Sequence, residues 1–181
     1  MSISYSAFQQ AASQPDEEAA TAAANPPVKR MSASIERLMH DYCTAIDHGD
    51  FARFGLLMRG ARWLVEGEPP SPESATNVIV YDDGTPRTKH VISNIDITLA
   101  DSGSVATGHS YVQVYQQTPD RPLQVIFAGE YFDEFRCVDG EWSFATRDTR
   151  YPLFGDLSGH LKDPSLTFRN APVQAPRTAR C

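Results

Sequence analysis

The sequence has few cysteines and no long hydrophobic run. Its three cysteines, Cys43, Cys137 and Cys181, form no CxxC motif and no paired framework for disulfides. The apolar runs are only a few residues long, far below the roughly 20 that a membrane-spanning helix needs. Residues 1–30 also lack the apolar stretch of a secretory signal. These absences predict a reduced, cytoplasmic protein that does not associate with membranes.

Basic residues are in the minority. The chain carries 16 Lys and Arg against 23 Asp and Glu, which gives a net charge of −7. Because phosphate binding needs a basic face, this balance argues against nucleic acid as a partner.

Several catalytic and cofactor motifs are missing as well. The sequence contains no phosphate-binding glycine loop and no GxSxG elbow. Four histidines lie at scattered positions, His40, His48, His109 and His160. They have no metal-ligand spacing with one another or with a cysteine. We therefore predict that the protein uses neither a metal nor another cofactor.

Composition divides the chain into one domain and two tails. Residues 1–33 are rich in Ala, Gln, Ser and Pro and poor in large apolar side chains. Such a segment buries too little surface to offset its ordering entropy, which predicts a disordered N-terminal tail. Residues 162–181 are proline-rich with little periodicity, as in a C-terminal tail or an arm laid on a neighbour. Residues 34–161 between them form a single predicted domain.

The first part of the domain is predicted to be helical. Apolar residues at i, i+3 and i+4 spacing indicate an amphipathic helix, with an inner stripe of Ile35, Leu38, Met39, Tyr42 and Ile46. We expect Gly49 to end this helix and Asp50 to cap a second one. Residues 61–67, which include Trp63, are typical of a short strand.

From Arg87 onward the apolar period changes to two. Four strands are predicted, at 88–99, 105–116, 123–137 and 141–148. Short connections, above all the type I′ turn signal Asp139-Gly140, make neighbouring strands antiparallel. The third strand would be about 50 Å long if straight. It must therefore bend, and we expect Gly129 and Gly108 to be bend or bulge positions. Helices followed by a long bent sheet predict an α+β cone with a ligand-binding interior.

One carboxylate and one imidazole are the candidate catalytic pair. Asp47 lies at the edge of the helical apolar stripe, where it is either a solvated acid or an acid that leans into the cone. Strict alternation puts His90 and Asn94 on one strand face and an apolar set on the other, and slightly favours exposure of His90. If both residues instead face the interior, Asp47 accepts one ring N–H of His90. The other ring nitrogen can then remove a proton from a substrate.

The predicted last hairpin carries two further candidates. Tyr131 is expected opposite Asp148, on a mostly aromatic face that is core or pocket. Arg147 falls on the other face, where spacing favours a cross-strand salt bridge to Glu134. A bulge at the end of the hairpin would turn Arg147 inward.

Several segments resemble the SnoaL-like branch of the nuclear transport factor 2-like superfamily. They are residues 42–51, 61–67, 87–90, 128–135 and 139–147. The resemblance implies a cystatin-like α+β barrel, in which a cone-shaped, curved, antiparallel or mixed sheet packs on N-terminal helices. It also implies a homo-oligomer, either a trimer or a dimer.

Within this branch the chain is most similar to scytalone dehydratases and hexachlorocyclohexane dehydrochlorinases. These are cofactor-independent lyases whose catalytic His, at the position of His90, is oriented by an Asp at the position of Asp47. The resemblance therefore implies that His90 faces inward, against the alternation argument. We predict five substrate-binding residues beside this pair, Tyr42, Tyr131, Arg147, Trp63 and Asn94.

Neither enzyme's full catalytic set is present. The dehydrochlorinases have a Lys where Tyr42 stands, and the dehydratases have a Tyr where Ile46 stands. Neither substrate is therefore carried over to this chain.

Two functions are consistent with the sequence. The first is a cofactor-free lyase or isomerase acting on a small apolar molecule, and the pairing of Asp47 with His90 favours it. The second is a non-catalytic module that binds a small molecule or plays a structural part, like the small subunits of ring-hydroxylating dioxygenases. Fold alone does not decide between them.

Overall fold

The computed structural model describes residues 26–164. Two helices come first, α1 (Pro26–Asp47) and α2 (Phe51–Leu57), followed by the short strand β1 (Arg62–Val65) and the single turn of helix α3 (Pro72–Ala75). Four long strands complete the domain: β2 (Thr88–Leu99), β3 (Val105–Thr118), β4 (Arg121–Val138) and β5 (Glu141–Phe154). They form one curved mixed sheet in the order β1-β5-β4-β3-β2. The predicted α+β class is confirmed.

The pairing directions agree with the short connections. β1 pairs in parallel with β5, and the other neighbours are antiparallel. The Asp139-Gly140 turn is confirmed, because both residues have positive φ (52° and 85°), as a type I′ turn requires. Within residues 26–164, no helix combines the length and apolar character of a membrane span.

Helix α1 is longer than predicted. It begins at Pro26 rather than near Ser34, so the end of the segment assigned to the N-terminal tail is helical. The rest of that tail, residues 1–25, and residues 165–181 of the predicted C-terminal tail lie outside the described part of the chain. The predicted apolar stripe does face the sheet, since Ile35 and Met39 are completely buried.

Gly49 ends helix α1 as expected. Its φ of +71° suits glycine, and its N–H donates to the Ile46 carbonyl (3.0 Å). Asp50 then caps α2, because its carboxylate accepts a hydrogen bond from the backbone N–H of Arg53 (2.9 Å). This tight connection fixes the position of Asp47, the last residue of α1.

Bulges bend the sheet at positions that only partly match the glycines. The pairing of β4 with β5 shifts at Gly129, which confirms that bend. At Gly108 the pairing with both neighbouring strands is regular, so the prediction of a bulge at this residue was wrong. Gly108 instead makes room for a neighbour, since a Cβ would lie 2.9 Å from the ring of Phe135.

An unpredicted bulge in β2 changes which residues face the interior. The pairing with β3 shifts between Ser93 and Asp96, and Asn94 adopts a φ of +51°. His90 and Ile92 face inward before the bulge, and Ile95, Ile97 and Leu99 do so after it. His90 and the apolar set therefore share the interior face, which strict alternation had placed on opposite sides.

Candidate active site

A chamber of about 490 Å³ opens between the two helices and the interior face of the sheet. Most of its wall is apolar, and includes Ile46, Phe51, Trp63, Val114, Ile126 and Leu161. Seven polar side chains interrupt this wall: Tyr42, Thr76, His90, Tyr131, Thr149, His160 and Lys162. A cavity of this size and lining suits a small organic molecule with one or two polar groups.

The chain after β5 closes one side of the chamber. Gly155 passes so close to β4 that a Cβ would lie 2.3 Å from the Val125 carbonyl oxygen. Further on, Leu161 forms a β-bridge with Val78. Asn77 then exchanges two hydrogen bonds with the backbone of Asp163 (2.7 and 2.8 Å). The two segments thus hold each other above the sheet.

Asp47 contacts His90, one of the residues that line the chamber. One carboxylate oxygen of Asp47 lies 2.7 Å from Nδ1 of His90. The other oxygen accepts a hydrogen bond from the backbone N–H of His90 (2.8 Å), so Asp47 contacts both the ring and the main chain of this residue. The hydroxyl of Thr88 donates a third hydrogen bond to Asp47 (2.7 Å). With exposed side-chain fractions of 7% and 11%, the pair is shielded from bulk water.

The surroundings keep Asp47 ionised. Burial works against the charged form, but the hydrogen bonds from His90 and Thr88 outweigh it and lower the pKa of the carboxyl. A carboxylate at this distance accepts a proton-bearing Nδ1, which leaves the lone pair on Nε2 of His90. His90 lines the chamber, so this second nitrogen is available to a bound molecule.

Arg147 lies inside the fold, behind the chamber wall. β5 contains one extra residue between Phe144 and Thr146, which turns Arg147 inward. Its guanidinium makes two hydrogen bonds to the carboxylate of Asp133 (2.9 and 2.7 Å), and both side chains are completely buried. The expected ion pair with Glu134 was wrong.

Glu134 has a different partner. Its carboxylate accepts a hydrogen bond from the Thr146 hydroxyl (3.1 Å) on the outer side of the sheet. The same extra residue in β5 places Tyr131 opposite Thr149 rather than Asp148.

Two tyrosines separate Arg147 from the chamber. The guanidinium carbon lies 4.2 Å from the ring centre of Tyr42 and 4.0 Å from that of Tyr131. Burial raises the pKa of both phenols, so both stay protonated and can donate hydrogen bonds. Tyr42 and Tyr131 line the chamber, whereas Arg147 does not. The predicted direct contact between Arg147 and a substrate therefore does not agree with this geometry.

The two remaining predicted residues differ in outcome. Trp63 lines the chamber as expected. Asn94 is exposed at the β2 bulge and does not line it, so its predicted part in substrate binding was wrong. Within residues 26–164, no group of three His, Cys, Asp or Glu side chains is arranged to hold a metal ion.

Sequence reasoning missed several polar residues of this site, including Thr88 and His160. Thr88 stands two residues before His90 on the same strand, so alternation could have placed its hydroxyl beside Asp47. His160 lies in an irregular segment after the last strand, where no periodicity indicates a direction. Only the folded structure brings His160 to the chamber.

The match to a known family covers most of the described chain. Residues 30–148 match the SnoaL-like domain. The chain belongs to the SnoaL-like family. This confirms the resemblance found in the sequence, including its place in the nuclear transport factor 2-like superfamily.

Solved structures with this fold include two enzyme types and one enzyme subunit. LinA, a hexachlorocyclohexane dehydrochlorinase, is 21% identical over 71% of this chain and 92% of its own, with a TM-score of 0.54. A candidate scytalone dehydratase from Novosphingobium aromaticivorans is 23% identical over 72% and 91% (TM-score 0.54).

The third structure is the β subunit of a candidate aromatic-ring-hydroxylating dioxygenase from the same organism. It is 17% identical over 66% and 87% (TM-score 0.52). No curated protein matches the sequence. At these identities the three structures show a shared fold.

Proposed function

We propose that this SnoaL-like protein is a cofactor-independent lyase or isomerase for a small, largely apolar molecule. His90 is the general base and Asp47 orients it. The observation that carries the proposal is the 2.7 Å contact between Asp47 and Nδ1 of His90, in a chamber whose wall is otherwise mostly apolar. Imidazole titrates near neutral pH, and a carboxylate that fixes its tautomer leaves the other ring nitrogen ready to accept a proton.

The proposed reaction begins with proton removal from carbon. Nε2 of His90 takes a proton from a carbon next to an activating group, and Asp47 stabilises the imidazolium that forms. In a lyase, the C–H electron pair becomes a new double bond and the leaving group departs with its own bonding pair. In an isomerase, the proton returns to a different carbon. Tyr42 and Tyr131 donate hydrogen bonds to the substrate oxygen or leaving group.

The apolar wall supports this chemistry by excluding water. Electrostatic interactions are stronger in such a site than in water, so the charge on Asp47 stabilises the imidazolium more effectively. The apolar wall also favours the binding of a largely apolar substrate.

A generic elimination probe tests the proposed base before the substrate is identified. In 5-nitrobenzisoxazole, a base removes the ring C–H proton while the N–O bond breaks, and the product is a coloured phenolate. The His90→Ala variant is expected to lose about 10²–10⁴-fold in rate, the usual contribution of a positioned base. His109→Ala is the matched control, because His109 pairs with Glu130 (2.7 Å) and does not line the chamber. An unchanged rate in His90→Ala would eliminate this mechanism.

The alternative is a structural or binding subunit without chemistry of its own. It is supported by the shared fold of the dioxygenase β subunit. Affinity purification of the full chain from its native cells distinguishes the two. A dioxygenase-type subunit co-purifies with a larger iron protein, whereas the proposed lyase is recovered as a homo-oligomer.

A further inference from the structure

A second imidazole, that of His160, lines the same chamber as His90. The two are near enough that a proton on His90 makes protonation of His160 less favourable. His160 comes from the segment after β5, outside the sheet and helices that carry Asp47, His90 and the tyrosines.

The backbone around His160 is fixed on both sides. Its N–H donates to the Leu157 carbonyl (2.8 Å), and its own carbonyl accepts the N–H of Ile79 (2.8 Å). The preceding carbonyl, that of Gly159, accepts a hydrogen bond from the Tyr81 hydroxyl (2.6 Å). The ring is therefore held at the chamber wall.

A buried glutamine determines which ring nitrogen carries the proton. The side-chain amide nitrogen of Gln116 donates to the carbonyls of Pro86 (2.9 Å) and Gly159 (3.1 Å), which fixes the orientation of the amide. Nδ1 of His160 lies 3.5 Å from that same nitrogen. If Nδ1 carried the proton, its N–H would face the amide N–H groups of Gln116 with no acceptor between them. The proton of the neutral ring therefore lies on Nε2.

The ring stays neutral at physiological pH. Burial, reinforced by His90, lowers the pKa of His160 to about 4. Within residues 26–164, Nε2 of His160 makes no hydrogen bond to a protein group. A neutral imidazole whose Nε2–H has no protein acceptor can donate that hydrogen bond to a molecule in the chamber. Neutral imidazole is known to act as an electrophile toward developing oxyanions in enzymes.

We propose that His160 is a second catalytic residue, whose Nε2–H donates a hydrogen bond to the oxygen or leaving group that gains negative charge. It rests on the proposed function in one respect, that His90 is the base. As His90 takes the proton, the C–H electron pair forms the new double bond, and the leaving group departs with its own bonding pair, whose negative charge His160 stabilises. The proton stays on Nε2 of His160 during this step, so His160 does not have to be reprotonated between turnovers.

Binding of an oxyanion tests His160 separately from proton abstraction. The probe is 4-nitrophenolate, an analogue of the product of the benzisoxazole reaction, with 4-nitrotoluene as an uncharged ligand of similar shape. Both are titrated into the full-length protein by calorimetry. His160→Leu is expected to weaken phenolate binding by about 10- to 100-fold, as for loss of a hydrogen bond to a charged group. Binding of 4-nitrotoluene should change less than about threefold.

Two variants control this experiment. His160→Gln keeps an N–H donor near the position of Nε2 and should recover part of the phenolate affinity. His109→Leu removes an imidazole that does not line the chamber and should leave the binding of both ligands unchanged. Equal losses for both ligands, or none, in His160→Leu would overturn the proposal.

The two proposals fail in different ways. If His90→Ala does not slow the benzisoxazole reaction, the base is wrong, yet phenolate binding still decides whether His160 is an anion-stabilising donor. If His90→Ala slows the reaction but His160→Leu changes neither the rate nor the selectivity for phenolate, only the role of His160 is wrong.

Discussion

Replacing Arg147 with methionine should destabilise the fold severely. The change leaves the Asp133 carboxylate with no partner in a site where both side chains have 0% exposure. Removing one member of a buried ion pair costs about 3–5 kcal/mol. The contacts with the rings of Tyr42 and Tyr131 at 4.2 and 4.0 Å add to that cost when they are lost. Small domains have only about 5–15 kcal/mol of stability in total.

Urea unfolding, followed by tryptophan fluorescence, measures this loss. The double variant Asp133→Leu/Arg147→Met is the informative partner, because it removes both charges and keeps an apolar filling. Replacing a buried pair in this way is often close to neutral, so the double variant should be more stable than Arg147→Met alone. A loss below about 1 kcal/mol in Arg147→Met, or a double variant less stable than the single one, would refute the reasoning.

Three further predictions concern the chamber and its supports. Asp47→Asn should slow the benzisoxazole reaction about 10- to 100-fold, because the charge that stabilises the imidazolium of His90 is lost; an unchanged rate would show that the acid has no part. Gly49→Ala should reduce stability far more than Gly60→Ala in urea unfolding, since both have positive φ but only at Gly49 would a Cβ meet a carbonyl oxygen, at 1.9 Å. Equal losses would mean that backbone strain alone matters. Between about pH 6.5 and 4, unfolding takes up a proton at His160, so wild type should lose up to about 1.4 kcal/mol per pH unit. His160→Gln should lose less over that range, and parallel curves would contradict the low pKa of His160.

The general architecture could be predicted because its signals are local. The helical stripe around Ile35 and Met39 and the Asp139-Gly140 turn each depend on neighbouring residues, and both were confirmed. The start of α1 at Pro26 was missed because the residues before Ser34 have few apolar side chains to reveal a period.

Which face of the sheet each side chain lies on was harder to predict. Strict alternation holds only while a strand pairs regularly, and each bulge moves the following residues to the other face. One bulge, at Asn94, lets His90 and the later apolar residues of β2 share the interior. Another, in β5, moved Arg147 from an expected surface pair with Glu134 to a buried pair with Asp133. Nothing local in the sequence indicates these shifts.

Periodicity left the orientation of the candidate pair open, and the family resemblance decided in favour of an inward-facing His90. Asp47 and His90 are far apart in sequence, and only the tertiary fold brings their side chains to 2.7 Å. His160 had no such signal, because its position depends on contacts between two irregular segments around Val78 and Leu161.

Chemical rescue tests the central claim most directly. In His90→Ala, the cavity left by the ring should admit free imidazole beside the carboxylate of Asp47, where it can act as the missing base. We predict that added imidazole restores the benzisoxazole reaction in a saturable way. The double variant Asp47→Asn/His90→Ala should show much weaker rescue. Equal, non-saturable acceleration of both variants, as for imidazole in free solution, would contradict the claim that these two residues form a catalytic base.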